Sequence, residues 1–175
     1  MRRLIYLLSA LLLLSFSLNT HVGRIVPIHN GVDEELKAIV NDYLELAKIK
    51  GIVFKKKVGV GFTSIHRGNV VGLCHYGTSF REIDIDREYW DRASRTSKRT
   101  LLFHELTHCY CTRPHDHDDG TAYVRNSCPA GDAKTGYYGD GCPKSVMFPS
   151  VLEDDCVTAH SADYLEEMFN RCVSY

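Results

Sequence analysis

The sequence predicts an α+β fold in which a small twisted mixed sheet, with one edge strand, packs against an N-terminal helix, a central helix and a C-terminal helix. Three observations support this prediction. Apolar residues recur at helical spacing between residues 33 and 50, short alternating apolar stretches fill residues 52–86, and helical spacing returns in the second half of the chain. A chain of 175 residues, 44% of them hydrophobic, suffices for one domain with one core.

Residues 1–20 are predicted to form a secretory signal peptide. Two arginines precede an apolar run from Leu4 to Leu14, and this run is shorter than the ~20 residues that span a bilayer. An uncleaved N-terminal membrane anchor is the alternative. We therefore expect residues 21–175 to form a single secreted or periplasmic domain, with no stable membrane insertion after cleavage.

The charge balance excludes one class of partner. A formal net charge of −1 provides no basic field for nucleic acid. We expect no nucleic-acid partner and a monomeric protein.

The first helix is predicted over Asp33–Lys50, after a turn at Asn30–Gly31. Acidic residues at its start and lysines at its end suit the helix dipole, and Gly51 is a natural stop. The side chains of its apolar stripe are Leu36, Ile39, Val40, Tyr43, Leu44 and Ala47. This stripe is expected to pack against the sheet.

Short strands are predicted between residues 52 and 86. In the first, Val58, Val60 and Phe62 alternate with glycines, and the second covers Val70–Tyr76. The third, Ile83–Asp86, alternates strictly between apolar and acidic residues, which is typical of a sheet edge with one solvated face. A calcium or substrate contact is the alternative role for that acidic face.

The central helix carries the pattern His-Glu-x-x-His. It is predicted to begin after a cap at residues 94–97 and to end by Thr112–Pro114, because a residue before proline avoids helical angles. His104 and His108 lie four residues apart on one helix face, so both rings can bind one zinc ion, and Glu105 can reach a water on that ion. The alternative is a pair of core histidines.

A catalytic zinc site usually has three protein ligands and one open position, so a third ligand is needed. His115 is the first candidate, because the chain must turn before Pro114 and can return over the metal. His117 is the second. Cys111 would share the helix face of the two histidines if the helix continued, and distant carboxylates such as Glu153 or Glu166 remain further alternatives.

The segment from His104 to His115, followed by Ser-Val-Met-Phe-Pro at residues 145–149, resembles the metzincin clan of zinc metallopeptidases. Those enzymes carry H-E-x-x-H-x-x-G-x-x-H and, further on, a tight turn with a Met beneath the metal. The spacing to His115 is one residue longer here, and Cys111 or Thr112 stands where the clan has its Gly. A set of small bacterial and phage-type metallopeptidases is similar in having this longer spacing with S-I-M-x-P.

The resemblance implies a role for each matching residue. His104, His108 and His115 would be the zinc ligands, Glu105 the general base, and Met147 the Met of the Met-turn. A C-terminal helix over about residues 161–172 follows that turn.

The function implied is a secreted zinc-dependent endopeptidase. A zinc-activated water would hydrolyse peptide bonds in a protein or peptide substrate, with Glu105 as general base. In the clan the extended substrate pairs with an edge strand, for which Ile83, Asp84 and Ile85 are the candidates. The alternative is a non-catalytic secreted binding protein stabilised by zinc and disulfides, which would need a fourth ligand such as Cys111 to close the site.

The chain has seven cysteines, and export would permit disulfides. An odd number leaves at least one free thiol or one bond between chains. Cys128 and Cys142 are the first predicted pair, because they bracket a loop rich in Pro, Gly and Asp.

Overall fold

The structure is a computed structural model that describes residues 28–76, 80–115, 136–170 and 172. It confirms the predicted α+β class, with a three-stranded mixed sheet whose strands are preceded and followed by helices along the chain. The predicted signal peptide and His117 lie outside the described residues. The elements are α1 (Lys37–Ile49), β1 (Val58–Thr63), β2 (Gly72–Tyr76), β3 (Arg81–Asp86), α2 (Arg87–Arg92), α3 (Arg95–Cys111), α4 (Asp154–Ala159) and α5 (Ser161–Asn170).

The sheet has the strand order β1-β3-β2. β1 runs parallel to β3, with Val60 opposite Ile83, and β2 runs antiparallel to it, with Cys74 opposite Ile83. β3 is therefore the central strand. The prediction that Ile83–Asp86 forms an edge strand is wrong, and Ile83, Asp84 and Ile85 have no open side on which a substrate could pair.

The acidic face of β3 is buried, which explains the error. Glu82 is 0% and Asp84 5% exposed. Asp84 bonds the Nε2 atoms of His29 and His75 at 2.9 and 2.8 Å, and Glu82 accepts the backbone N–H groups of Ile28 and His29. His29 comes from a distant part of the sequence and His75 from the neighbouring strand, so the alternating pattern looks solvated although it is enclosed.

The glycines of β1 make room for one of those partners. A Cβ at Gly59 would lie 2.4 Å from the carbonyl oxygen of His29, and one at Gly61 would lie 2.3 Å from its Nδ1. Both distances are far below van der Waals contact. His29 can therefore lie against β1 only because these two positions have no side chain.

Helix α3 runs through the core beside α1. Ser94 caps its start by accepting the N–H of Ser97 at 2.9 Å, as one of the predicted caps, and the helix ends at Cys111 within the predicted limit. Tyr43 of α1 packs edge-on against Phe103, with 5.3 Å between ring centroids. The residues of α3 that are at most 2% exposed are Leu101, Leu102, Phe103, Leu106, Thr107 and Cys109. The apolar helix thus holds its histidines in a rigid setting.

Three disulfides join the described residues: Cys74–Cys109, Cys111–Cys172 and Cys142–Cys156. The predicted Cys128–Cys142 pair is wrong, because Cys142 is bonded to a cysteine of α4; Cys128 lies outside the described residues. The C-terminal helical region is divided at His160 into α4 and α5. None of the helices described is long and apolar enough to cross a bilayer.

Candidate metal centre

Three histidine rings converge next to the end of α3. The Nε2 atom of His104 lies 3.0 Å from the Nε2 atoms of both His108 and His115. His104 and His108 are on one face of α3, whereas His115 follows the helix. The structure thus brings His115, the first candidate for the third ligand, next to the two helical histidines.

Thr112 makes the turn that returns His115 to the helix. Its φ of 55° lies in the left-handed region, and it is the one non-glycine with positive φ among the described residues. A β-branched residue rarely adopts this conformation. Thr112 precedes His115 by three residues, as the Gly precedes the third His in the pattern that the sequence resembles, and the extra residue then lies between His108 and this turn.

Hydrogen bonds fix which nitrogen of each helical histidine is available. Nδ1 of His104 donates to the carbonyl oxygen of Val146 at 2.7 Å, and Nδ1 of His108 donates to that of Arg113. A carbonyl oxygen can only accept, so each Nδ1 carries the proton and each Nε2 presents a lone pair. Two lone pairs facing each other at 3.0 Å repel unless a cation lies between them.

The donor set fits zinc. Imidazole nitrogens bound to tetrahedral zinc at about 2.0–2.1 Å are roughly 3.3 Å apart, close to the separations observed. Burial, followed by the neighbouring histidines, lowers the pKa of His104 well below its usual value. Burial also lowers the pKa of His108 to about 4. Both rings are therefore neutral at neutral pH, which is the form that binds a metal.

The side chain of Glu105 extends from α3 towards Gly72 of β2, and the residue is 5% exposed. Burial raises the pKa of its carboxyl to about 8, although a hydrogen bond from the backbone of Cys74 opposes the shift. A Cβ on Gly72 would lie only 2.6 Å from Oε1 of Glu105. The missing side chain at residue 72 thus leaves the space that the carboxyl occupies, and a carboxyl with a pKa near neutrality can both accept and release a proton.

Met147 lies in a tight turn formed by Ser145–Phe148. It is fully buried, its N–H donates to Oγ of Ser145 at 3.0 Å, and the N–H of Phe148 closes the turn on the carbonyl of Ser145 at 3.2 Å. The intervening residue, Val146, supplies the carbonyl that holds His104. The turn is thus joined directly to one of the three histidines.

The other ligand candidates are not brought to the histidines. Cys111 is in a disulfide with Cys172, so the alternative in which its thiolate binds the metal is wrong. Glu153 precedes α4 as its N-cap and Glu166 is exposed on α5. The group of potential metal ligands around the triad contains neither glutamate.

The sequence prediction missed the residues that support the triad. The only sequence signal for Gly72 was its position as a glycine inside a predicted strand, which often marks the close approach of another group to the backbone. Arg113 and Glu167 form an ion pair beside the triad, and neither belongs to a recognisable motif.

Two further potential ligand groups occur among the described residues: His29, Glu82 and Asp84, and Asp140, Cys142 and His160. The second offers no thiolate, because its cysteine is in a disulfide.

The chain matches the model of a known protein family. The model of a family described as "putative phage metallopeptidase" matches residues 29–146, about two thirds of the chain. The matched region runs from the histidine that lies against β1 to the residue whose carbonyl holds His104. No curated protein and no solved structure matches the chain.

Proposed function

The chain belongs to the phage metallopeptidase family, and from this membership we propose that it is a secreted zinc endopeptidase of the metzincin type. In this proposal His104, His108 and His115 bind the metal and Glu105 is the general base. One observation carries the proposal most strongly: three imidazoles converge on one point while a buried carboxyl follows the first of them in sequence.

The residues of the chain divide the work of hydrolysis. When bound, a zinc ion supplies Lewis acidity, which acidifies a water molecule and polarises a peptide carbonyl. Glu105 accepts the proton of the attacking water and then delivers it to the leaving amine, so that the peptide bond breaks with no net change in the enzyme. His104 and His108 each keep their Nδ1 proton, which stays hydrogen-bonded to a backbone carbonyl. The buried Met147 is assigned the role of the Met in the Met-turn.

We assign the substrate strand to β2. The N–H of Asp86 bonds the carbonyl of Val71, and the alternation of an antiparallel ladder then directs the backbone groups of Gly72, Cys74 and Tyr76 away from β3. This side of β2 faces Glu105, whose carboxyl bonds the backbone of Cys74. An extended peptide added along it would bring a peptide bond close to the base.

The disulfides support export. Bonds of this kind form in oxidising compartments and are rare in the cytosol, and all six cysteines within the described residues are in disulfides. Secretion of the chain therefore remains part of the proposal, together with removal of the predicted signal peptide.

The proposal is tested by Glu105→Gln, which keeps the shape of the side chain and removes its basicity. Zinc content should stay at the parent level, whereas hydrolysis of an unfolded protein substrate should fall by about 10²–10⁴-fold. Glu166→Gln is the matched control, because that glutamate is exposed on α5. Cleavage by Glu105→Gln at the parent rate would remove Glu105 from the mechanism.

A further inference from the structure

The two carbonyls that hold the helical histidines are connected through one ion pair. Arg113 supplies the first carbonyl, which accepts the Nδ1 proton of His108. Its guanidinium turns inward, is 4% exposed, and pairs with the carboxylate of Glu167 on α5. The same guanidinium donates to the carbonyl oxygens of Glu167 and Met168 at 3.1 and 3.3 Å. The turn before His115 is thereby fastened to the last turn of α5.

Glu167 reaches the second carbonyl from the other side. Its Oε2 accepts the N–H of Val146 at 3.3 Å, and its Oε1 accepts the hydroxyl of Ser145 at 3.3 Å. The carbonyl of Val146 in turn accepts the Nδ1 proton of His104. One carboxylate therefore bonds both the guanidinium of Arg113 and the residue that holds His104.

We propose that Arg113 and Glu167 are positioning residues, which orient His108 and His104 for the metal through these two backbone carbonyls. The inference rests on the proposed function, since it concerns the same metal. The hydrogen bonds of both side chains reach the two rings through these backbone carbonyls. Outer partners of this kind fix ring orientation, and their loss typically weakens metal binding about 10–100-fold.

The ion pair has a feature that separates positioning from general stability. Substitution of Arg113 leaves its backbone carbonyl in place, so His108 keeps its acceptor and loses only the anchoring of that acceptor. A residue with a merely structural role would alter unfolding without altering the ligand field of a metal already bound. The absorption bands of a cobalt(II)-substituted protein report that field directly.

The test compares Glu167→Gln with Glu166→Gln, the same substitution at an exposed neighbour on α5. Zinc release to a chelator should be about 10–100-fold faster in Glu167→Gln, and its cobalt bands should shift, whereas Glu166→Gln should match the parent in both measurements. Equal zinc release and equal cobalt spectra in the two variants would overturn the proposal.

Arg113→Lys repeats the test with the positive charge retained and the planar fork removed, and it serves alone if Glu167→Gln does not fold. This variant should also release zinc faster than the parent. The double variant should release zinc no faster than the faster of the two single variants, because the pair acts as one unit. Zinc held by Arg113→Lys as tightly as by the parent would refute the positioning role.

The two proposals can fail separately. A parent protein that binds zinc but hydrolyses no peptide would refute the proposed function and leave the positioning role open to the zinc measurements. A parent that hydrolyses peptides while every variant holds zinc equally would refute the positioning role alone.

Discussion

Gly72→Ala tests whether the contact between β2 and Glu105 sets the catalytic geometry. The added methyl group would lie 2.6 Å from Oε1 of Glu105, 2.8 Å from its Cγ and 2.9 Å from its Cδ. Ordinary contacts of a Cβ begin at 3.4 Å, so the carboxyl must retreat by about 0.8 Å or β2 must move away from α3. The disulfide between Cys74 and Cys109 opposes the second movement, because it ties the strand to the helix two residues from the substitution.

The expected loss follows from that displacement. A misplacement of about 1 Å in a catalytic group costs on the order of 10²-fold in rate. We therefore expect kcat/KM of Gly72→Ala to fall about 100-fold while its zinc content stays at one ion per chain, since the three atoms nearest to the added methyl all belong to Glu105.

The assay is hydrolysis of an unfolded protein substrate, with zinc content measured on the same preparation. Gly31→Ala is the matched control, because its added Cβ would meet no atom within 4 Å. If Gly72→Ala cleaves as fast as Gly31→Ala with zinc in place, the position of Glu105 against β2 does not govern the reaction.

Three further outcomes are expected. In the metal-free protein, burial raises the pKa of Glu105 to about 8 from 4.5, so the folded chain keeps a proton that the unfolded chain has released. The free energy of unfolding should therefore fall by about 2 kcal/mol as the pH rises from about 6.5 to 8. Urea unfolding of Glu105→Gln should show no such dependence of stability on pH. Replacing both Cys74 and Cys109 by Ser should cost about 4 kcal/mol of stability for a bond that spans 35 residues, measured by urea unfolding; an unchanged midpoint would contradict this value. Thr112→Gly should stabilise the protein by about 1 kcal/mol, because it relieves a left-handed φ of 55° and removes a buried hydroxyl that has no hydrogen-bond partner among the described residues; a lower melting temperature would count against that strain.

Local geometry explains which parts of the site could be predicted. His104 and His108 share a helix face because of a spacing of four residues, and no distant residue has to be known for that conclusion. The position of His115 depends on the angle at which the chain leaves α3. A threonine in the left-handed region sets this angle, and its residue type argues against that conformation.

Long-range partners explain the errors. The strand Ile83–Asp86 has the alternation of a sheet edge, but its acidic face is enclosed by His29, which is 55 residues from Asp84 in sequence, and by His75 of the neighbouring strand. Strand order and disulfide pairing likewise depend on which distant segments meet. The pairing of Cys142 with Cys156 follows from the approach of α4 to the preceding loop, which no spacing of cysteines reveals.

The bond between Cys74 and Cys109 also bears on when, in a newly made chain, β2 becomes tied to α3. It joins the strand assigned to the substrate with the helix of the metal site, and thiols inside a cell are kept reduced. Without this bond, the strand would be held at the helix by weaker contacts, among them the hydrogen bond from the hydroxyl of Tyr76 to the carbonyl of His108. Under the proposed export, this bond would form only after the chain has left the cytosol, so the strand assigned to the substrate would be tied to the helix of the metal site only then.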